Sequence, residues 1–119
     1  MHNMAFWYNY RMKLQTLKTI YRELNRDVFS GVLSEPVILS RRWRDAIGQH
    51  SHTGRYSIME FNPRGITGIH HARSVIFHEC IHQYISEVLD YTECDDHGPA
   101  FFAWCDYFAV PGIEIGDTL

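Results

Sequence analysis

The chain has few cysteines, no long apolar run and little net charge. Its three cysteines, Cys80, Cys94 and Cys105, are an odd number with no C-x-x-C pair. That argues against a disulfide framework and for a reducing, cytoplasmic setting. No stretch approaches the roughly 18 to 20 apolar residues that cross a bilayer, so no membrane partner is expected. Residues 1–10 interleave aromatics with Asn. They lack the basic start, apolar stretch and small-residue cleavage site of a secretory leader. A formal net charge of -3 does not suit a general polyanion binder, although a local basic patch is compatible with it.

What is present suits one packed unit. Hydrophobic residues make up 45% of the chain and aromatics 14%, as in a globule rather than a disordered segment. A length of 119 residues supports a single core, so one domain over 1–119 and a monomer are expected. Leu14, Leu17, Ile20, Tyr21, Leu24 and Val28 recur at helical spacing and predict a helix over 13–29, stopped by Gly31 and Pro36. Val37-Ile38-Leu39 begins a strand toward Trp43. Gly48 and Gly54 bracket a polar turn over 49–53, and Arg55 to Phe61 reads as a further strand closed by Asn62-Pro63. From His70 to Leu89 the pattern is helical with apolar residues all round, which predicts a buried central helix. Pro99 opens a last helix with Phe101, Trp104 and Phe108 on one core-facing side, ended by Pro111-Gly112. The fold class is α+β: three helices with a small antiparallel sheet of two or three strands.

Within the central helix stands His78-Glu79-Cys80-Ile81-His82, an H-E-x-x-H motif. Residues four apart on a helix share a face about 6 Å apart, so two imidazoles can reach one metal ion with Glu79 beside them. That is the arrangement of zinc metalloproteases. Histidine is abundant, 8 of 119, and chance alone gives roughly 0.03 matches of this type, so the context has to decide. A catalytic zinc needs a third protein ligand. His97 is the best placed: the helix carries the chain away from His82, and residues 91–96, extended, are long enough to bring it back. Cys94, Glu93, Asp95 and Asp96 are the rival donors. The metzincin pattern is excluded, because Ile85 and Val88 stand where it requires Gly and His.

The ordered set His78-Glu79-x-x-His82, then His97-Gly98-Pro99-Ala100-Phe101, resembles the SprT-like family of zinc metallopeptidase domains, which includes the DNA–protein crosslink protease Spartan. Tyr21-Arg22-Glu23-Leu24-Asn25 and Phe29-Ser30-Gly31-Val32-Leu33 are similar to that family's first helix and following turn. The resemblance covers residues 14–109. It implies a zincin-like fold, Zn2+ held by His78, His82 and His97, Glu79 as catalytic base, and a protein or peptide substrate. Two departures concern DNA-linked substrates. Three scattered cysteines cannot build the zinc ribbon that many members carry, and no extended basic tail is present.

On this reading zinc activates water, Glu79 moves its proton, and the neutral imidazole ligands lose the metal as pH falls below about 6.5. Tyr84, Tyr91, His50, His52 and Tyr56 are candidates for stabilising the oxyanion, and Arg55 to Phe61 is the candidate strand for aligning substrate. Other features have plainer readings. His50-Ser51-His52 fits a solvated turn better than a second metal site, and His70-His71 marks a helix start. Arg41, Arg42 and Arg44 around Trp43 would be the nucleic-acid contact if one exists, but read first as a solvated strand face. Phe6, Trp7, Tyr8 and Tyr10 read as a segment packed over the core or frayed. The alternative to an enzyme is a non-catalytic zinc module that binds a protein or nucleic-acid partner. The retained Glu79 favours the enzyme.

Overall fold

Four side chains at helical spacing, Leu17, Ile20, Tyr21 and Leu24, form the buried stripe of helix α1 (Leu14–Asp27) in the computed structural model, which describes residues 12–43, 45–92 and 97–116. The helix stops where the sequence says it should. Ser30 and Gly31 both take left-handed backbone, φ 54° and 73°. The Gly31 N–H turns back to the Asn25 carbonyl at 2.8 Å, satisfying an acceptor that the helix end leaves open. Asn25 then clamps the outgoing chain, donating to the Leu33 carbonyl at 2.9 Å and accepting from the Leu33 N–H at 3.1 Å.

Three strands follow: β1 (Val37–Ser40), β2 (Gly48–Thr53) and β3 (Tyr56–Phe61), in the spatial order β1-β3-β2. β2 and β3 form an antiparallel hairpin with Thr53 opposite Tyr56, turning through Gly54 at φ 59°. β1 runs parallel to β3, with Val37 beside Ile58. The sheet is therefore mixed, not antiparallel. β2 thus stands at the far edge from β1, and β3 fills the place between.

Two further expectations for this region are corrected. The supposed polar turn over 49–53 is most of β2. No residue of Gly-Gln-His-Ser-His-Thr is apolar, so the alternation that betrays a strand is missing; main-chain pairing to β3 and polar side-chain contacts hold it instead. The strand proposed to align substrate is β3, whose two sides are already paired. Among the described residues the unpaired edges are those of β1 and β2.

Ser57, Met59 and Phe61 of β3 and Ile38 of β1 are buried. Helix α2 (Ile69–Gln83) packs against β2 and α1. It is buried from Ser74 to Ile81, which explains why its sequence shows no single apolar stripe. His71 closes its start by accepting the Thr67 N–H at 3.0 Å. The helix was expected to run unbroken to Leu89. It instead widens into a π-helical turn over Tyr84–Val88, with the Leu89 N–H reaching the Tyr84 carbonyl at 3.1 Å. There Tyr84 packs on Trp104, ring centroids 5.0 Å apart, while Glu87 turns toward the sheet.

Helix α3 (Pro99–Phe108) begins at Pro99, as expected, and rests on the core through Phe101 and Phe108, the latter 4.5 Å from the Phe29 ring. A turn at Pro111-Gly112, closed by the Val110–Ile113 bridge, sends the chain back so that Ile113 and Ile115 pack on the core. Among the described residues no helix is long and apolar enough to cross a membrane.

Candidate metal centre

His78 and His82 lie one turn apart on α2, and their Nε2 atoms are 3.2 Å apart. His97 stands just ahead of α3, before the Gly98 cap and Pro99. Its Nε2 is 3.1 Å from that of His78 and 3.2 Å from that of His82. Three ring nitrogens mutually this close cannot satisfy all three contacts as hydrogen bonds at once, whereas a cation between them engages all three. Zn–N bonds of ~2.0–2.1 Å in a tetrahedral site put ligand nitrogens about 3.3–3.4 Å apart, so this triangle fits such an ion with little adjustment. The three side chains are also the group of donors, among the described residues, that could hold a metal. Burial, reinforced by repulsion from His78, His97 and His50, pushes the His82 imidazole down to about 3. Its ring is therefore neutral near pH 7, the form that ligates metal.

The rings are held from behind. Phe101 is buried, and its ring contacts all three imidazoles: stacked on His82 at 4.4 Å, and 4.8 and 4.9 Å from His78 and His97. His97 and Phe101 are four residues apart, so the start of α3 delivers a donor and its support together. On the far side, His78 Nδ1 lies 2.5 Å from the Gly116 carbonyl.

Glu79 is 2% exposed and faces β2 from α2. A β-carbon added to Gly48 would meet Glu79 Oε2 at 3.2 Å and the Phe61 ring at 3.1 Å. Glycine at 48 thus lets the strand pass close to the carboxylate. Gly48, His50, Ser51, Glu79, His82 and His97 line a cleft of about 400 Å3.

His50 and His52, on this cleft, belong to a polar network. Ser57 Oγ, fully buried, lies 2.9 Å from His50 Nε2, 3.3 Å from His52 Nδ1 and 3.2 Å from Glu87 Oε2. Partial burial raises the Glu87 carboxyl, but hydrogen bonds from Ser34, Gln83 and Ser57 outweigh this and hold it below its ordinary value. An ionised Glu87 can only accept, so Ser57 donates to it and both histidines donate to Ser57. Burial, helped by His52 and opposed by Glu87, pushes His50 down to about 4, so its ring too is neutral. Gln83 continues the network to the Tyr21 hydroxyl, 2.7 Å away. Burial above all drives that phenol well above its usual range.

Of the oxyanion candidates, His50 and His52 line the cleft, with the nitrogens facing Ser57 already engaged. Tyr84 packs instead among Phe29, Trp104 and Phe108. Tyr91 and Tyr56 are exposed and line none of the cleft. The rival ligands Glu93, Cys94, Asp95 and Asp96, the cluster member Arg44 and the aromatics Phe6, Trp7, Tyr8 and Tyr10 lie outside the described residues. Arg41 is committed within the chain, 3.2 Å from Glu60 and 5.2 Å above the Trp43 ring.

Three contributors escaped the sequence reading. Phe101, core-facing by its spacing and part of the His97–Phe101 motif, has in addition the support of the three imidazoles. Gly48, the edge of a turn by sequence, is the point where β2 passes the Glu79 carboxylate. Gly116 acts through its backbone, which no residue type advertises.

No curated protein shows significant sequence similarity to the chain. A family profile does match it, over residues 17–117, a span that contains all three imidazoles, Glu79 and Gly116. The chain belongs to the SprT-like family.

Proposed function

We propose that this chain is a zinc-dependent endopeptidase acting on protein substrates, with His78, His82 and His97 as metal ligands and Glu79 as general base. The observation that carries the reading is the convergence of three Nε2 atoms within 3.2 Å beside a cleft that also holds the Glu79 carboxylate. Membership of the SprT-like family supports it. A bound zinc would supply Lewis acidity, lowering the pKa of water to about 7 and polarising the scissile carbonyl.

The protein's own groups do the rest. Glu79 follows His78 directly, so its carboxylate faces the cleft without taking a place among the ligands. It takes the proton of the attacking water and passes it to the departing amine. The open edge of β2 receives the substrate as an added strand, its main-chain groups fixing register while side chains leave alternately toward and away from the cleft. His50 and His52 are tied to Ser57 and through it to Glu87, which anchors β2 beside the cleft.

Glu79→Gln is the test. It preserves shape and removes the base, so zinc content should be unchanged while cleavage of a denatured test protein falls by about 10²–10⁴-fold. Undiminished cleavage would refute the assignment of Glu79.

A further inference from the structure

Residues 113–116 return from the end of α3 and meet α2 through the backbone of Gly116. The Gly116 N–H donates to the Ser74 carbonyl at 2.9 Å, and the Gly116 carbonyl faces His78 Nδ1 at 2.5 Å. Ser74 and His78 are one turn apart on α2, so the backbone of a single residue spans that turn. The fit leaves no room for a side chain: a β-carbon on Gly116 would lie 2.8 Å from Ser74 Oγ and 3.1 and 3.2 Å from the Ser74 carbonyl carbon and oxygen. Ile113 and Ile115, packed on the core, fix the approach from the chain's own side.

A carbonyl oxygen can only accept a hydrogen bond, so His78 must carry its proton on Nδ1. Its Nε2 then has a lone pair, and this is the nitrogen that meets those of His82 and His97. We propose that the Gly116 carbonyl is a positioning group for the metal centre: it selects the tautomer and ring orientation of His78 and thereby couples the C-terminal segment 113–116 to metal affinity. The proposal rests on the metal reading given above. It adds that the site is complete only when a segment remote in sequence from all three ligands is docked. Groups that orient ligating histidines in this way typically change metal affinity by about 10–100-fold when lost. Linkage also runs in reverse, so metal binding must stabilise the docked segment by the same factor.

The test uses the full chain and Gly116→Ala. Zinc affinity is measured by competition with a chromophoric chelator, and the His78 tautomer by long-range nitrogen–proton NMR on metal-free protein. In the unsubstituted chain His78 should be the Nδ1–H tautomer, and the Gly116 amide should exchange with solvent more slowly when zinc is added. Gly116→Ala should weaken zinc binding by about 10–100-fold and give a mixture of His78 tautomers. Affinity within twofold of the unsubstituted chain, or an Nε2–H tautomer at His78 in that chain, overturns the proposal. If the variant does not fold, the exchange experiment decides on the unsubstituted chain alone: a Gly116 amide indifferent to zinc overturns it. If the unsubstituted chain binds no zinc, the peptidase reading falls, and the tautomer measurement still decides whether Gly116 orients His78.

Discussion

Replacing Glu87 by Gln removes one charge from the network that holds β2, and its cost can be worked from the contacts. Glu87 Oε1 accepts the Ser34 N–H at 2.6 Å. Oε2 accepts from Ser34 Oγ at 2.6 Å, Gln83 Nε2 at 3.1 Å and Ser57 Oγ at 3.2 Å. With the amide oxygen kept toward the Ser34 N–H, the new NH2 group faces the NH2 of Gln83. The Ser34 and Ser57 hydroxyls can rotate to accept from it, but Ser57 already accepts from two histidines. Hydrogen bonds to charged groups contribute about 1.5–3 kcal/mol each and do not add. Because Glu87 is only partly buried, an overall loss of about 1–3 kcal/mol is expected. The assay is urea unfolding of chelator-treated protein, so that metal binding does not enter. The pH dependence follows from the sign of the shift. The folded carboxyl titrates below its unfolded value, so its contribution is full above that unfolded value, about 4.3. It is lost as pH falls through the folded value. The difference between the two proteins should therefore be constant from pH 7 to 5 and shrink below about pH 4. A difference that grows on acidification, or is absent at pH 7, would refute this account of the network.

Phe101→Ala should cost about 3–5 kcal/mol in urea unfolding and weaken zinc binding, since it empties the support under three imidazoles; Phe101→Leu should restore most of both. Gly48→Ala should leave zinc content intact yet slow cleavage, because the new methyl displaces the Glu79 carboxylate and the Phe61 ring; equal turnover would mean that the strand has room to give. His50 and His82 are held neutral to about pH 4 and 3, while unfolded histidine titrates near about 6.5. Metal-free protein should thus lose stability steadily below about pH 6.5, with roughly two protons taken up on unfolding. Stability independent of pH between 6.5 and 4.5 would contradict that burial.

The three helices were legible because burial imposes a period: Leu17, Ile20, Tyr21 and Leu24 mark one face, and Pro99 and Gly31 punctuate the ends. The meeting of His78 with His82 followed from one helical turn, and His97 from the reach of the chain after it. β2 was not legible, because it is held by main-chain pairing and a histidine–serine–glutamate network rather than by an apolar face. The parallel run of β1 is not legible for another reason: strand direction depends on which strand becomes its neighbour, and local sequence does not encode that choice. The π-helical turn at Tyr84–Val88 accompanies tertiary contacts of Tyr84 with Trp104 and of Glu87 with Ser34 and Ser57, which local sequence does not announce. Gly116 matters through a carbonyl that every residue possesses, so only the close approach at Ser74 exposes it.

The central claim is that three imidazoles and no sulfur hold the ion. X-ray absorption on zinc-loaded protein tests it most directly. One zinc per chain with three histidine nitrogens at ~2.0–2.1 Å is expected, whereas a sulfur ligand at ~2.3 Å would hand a place to a cysteine and contradict the assignment.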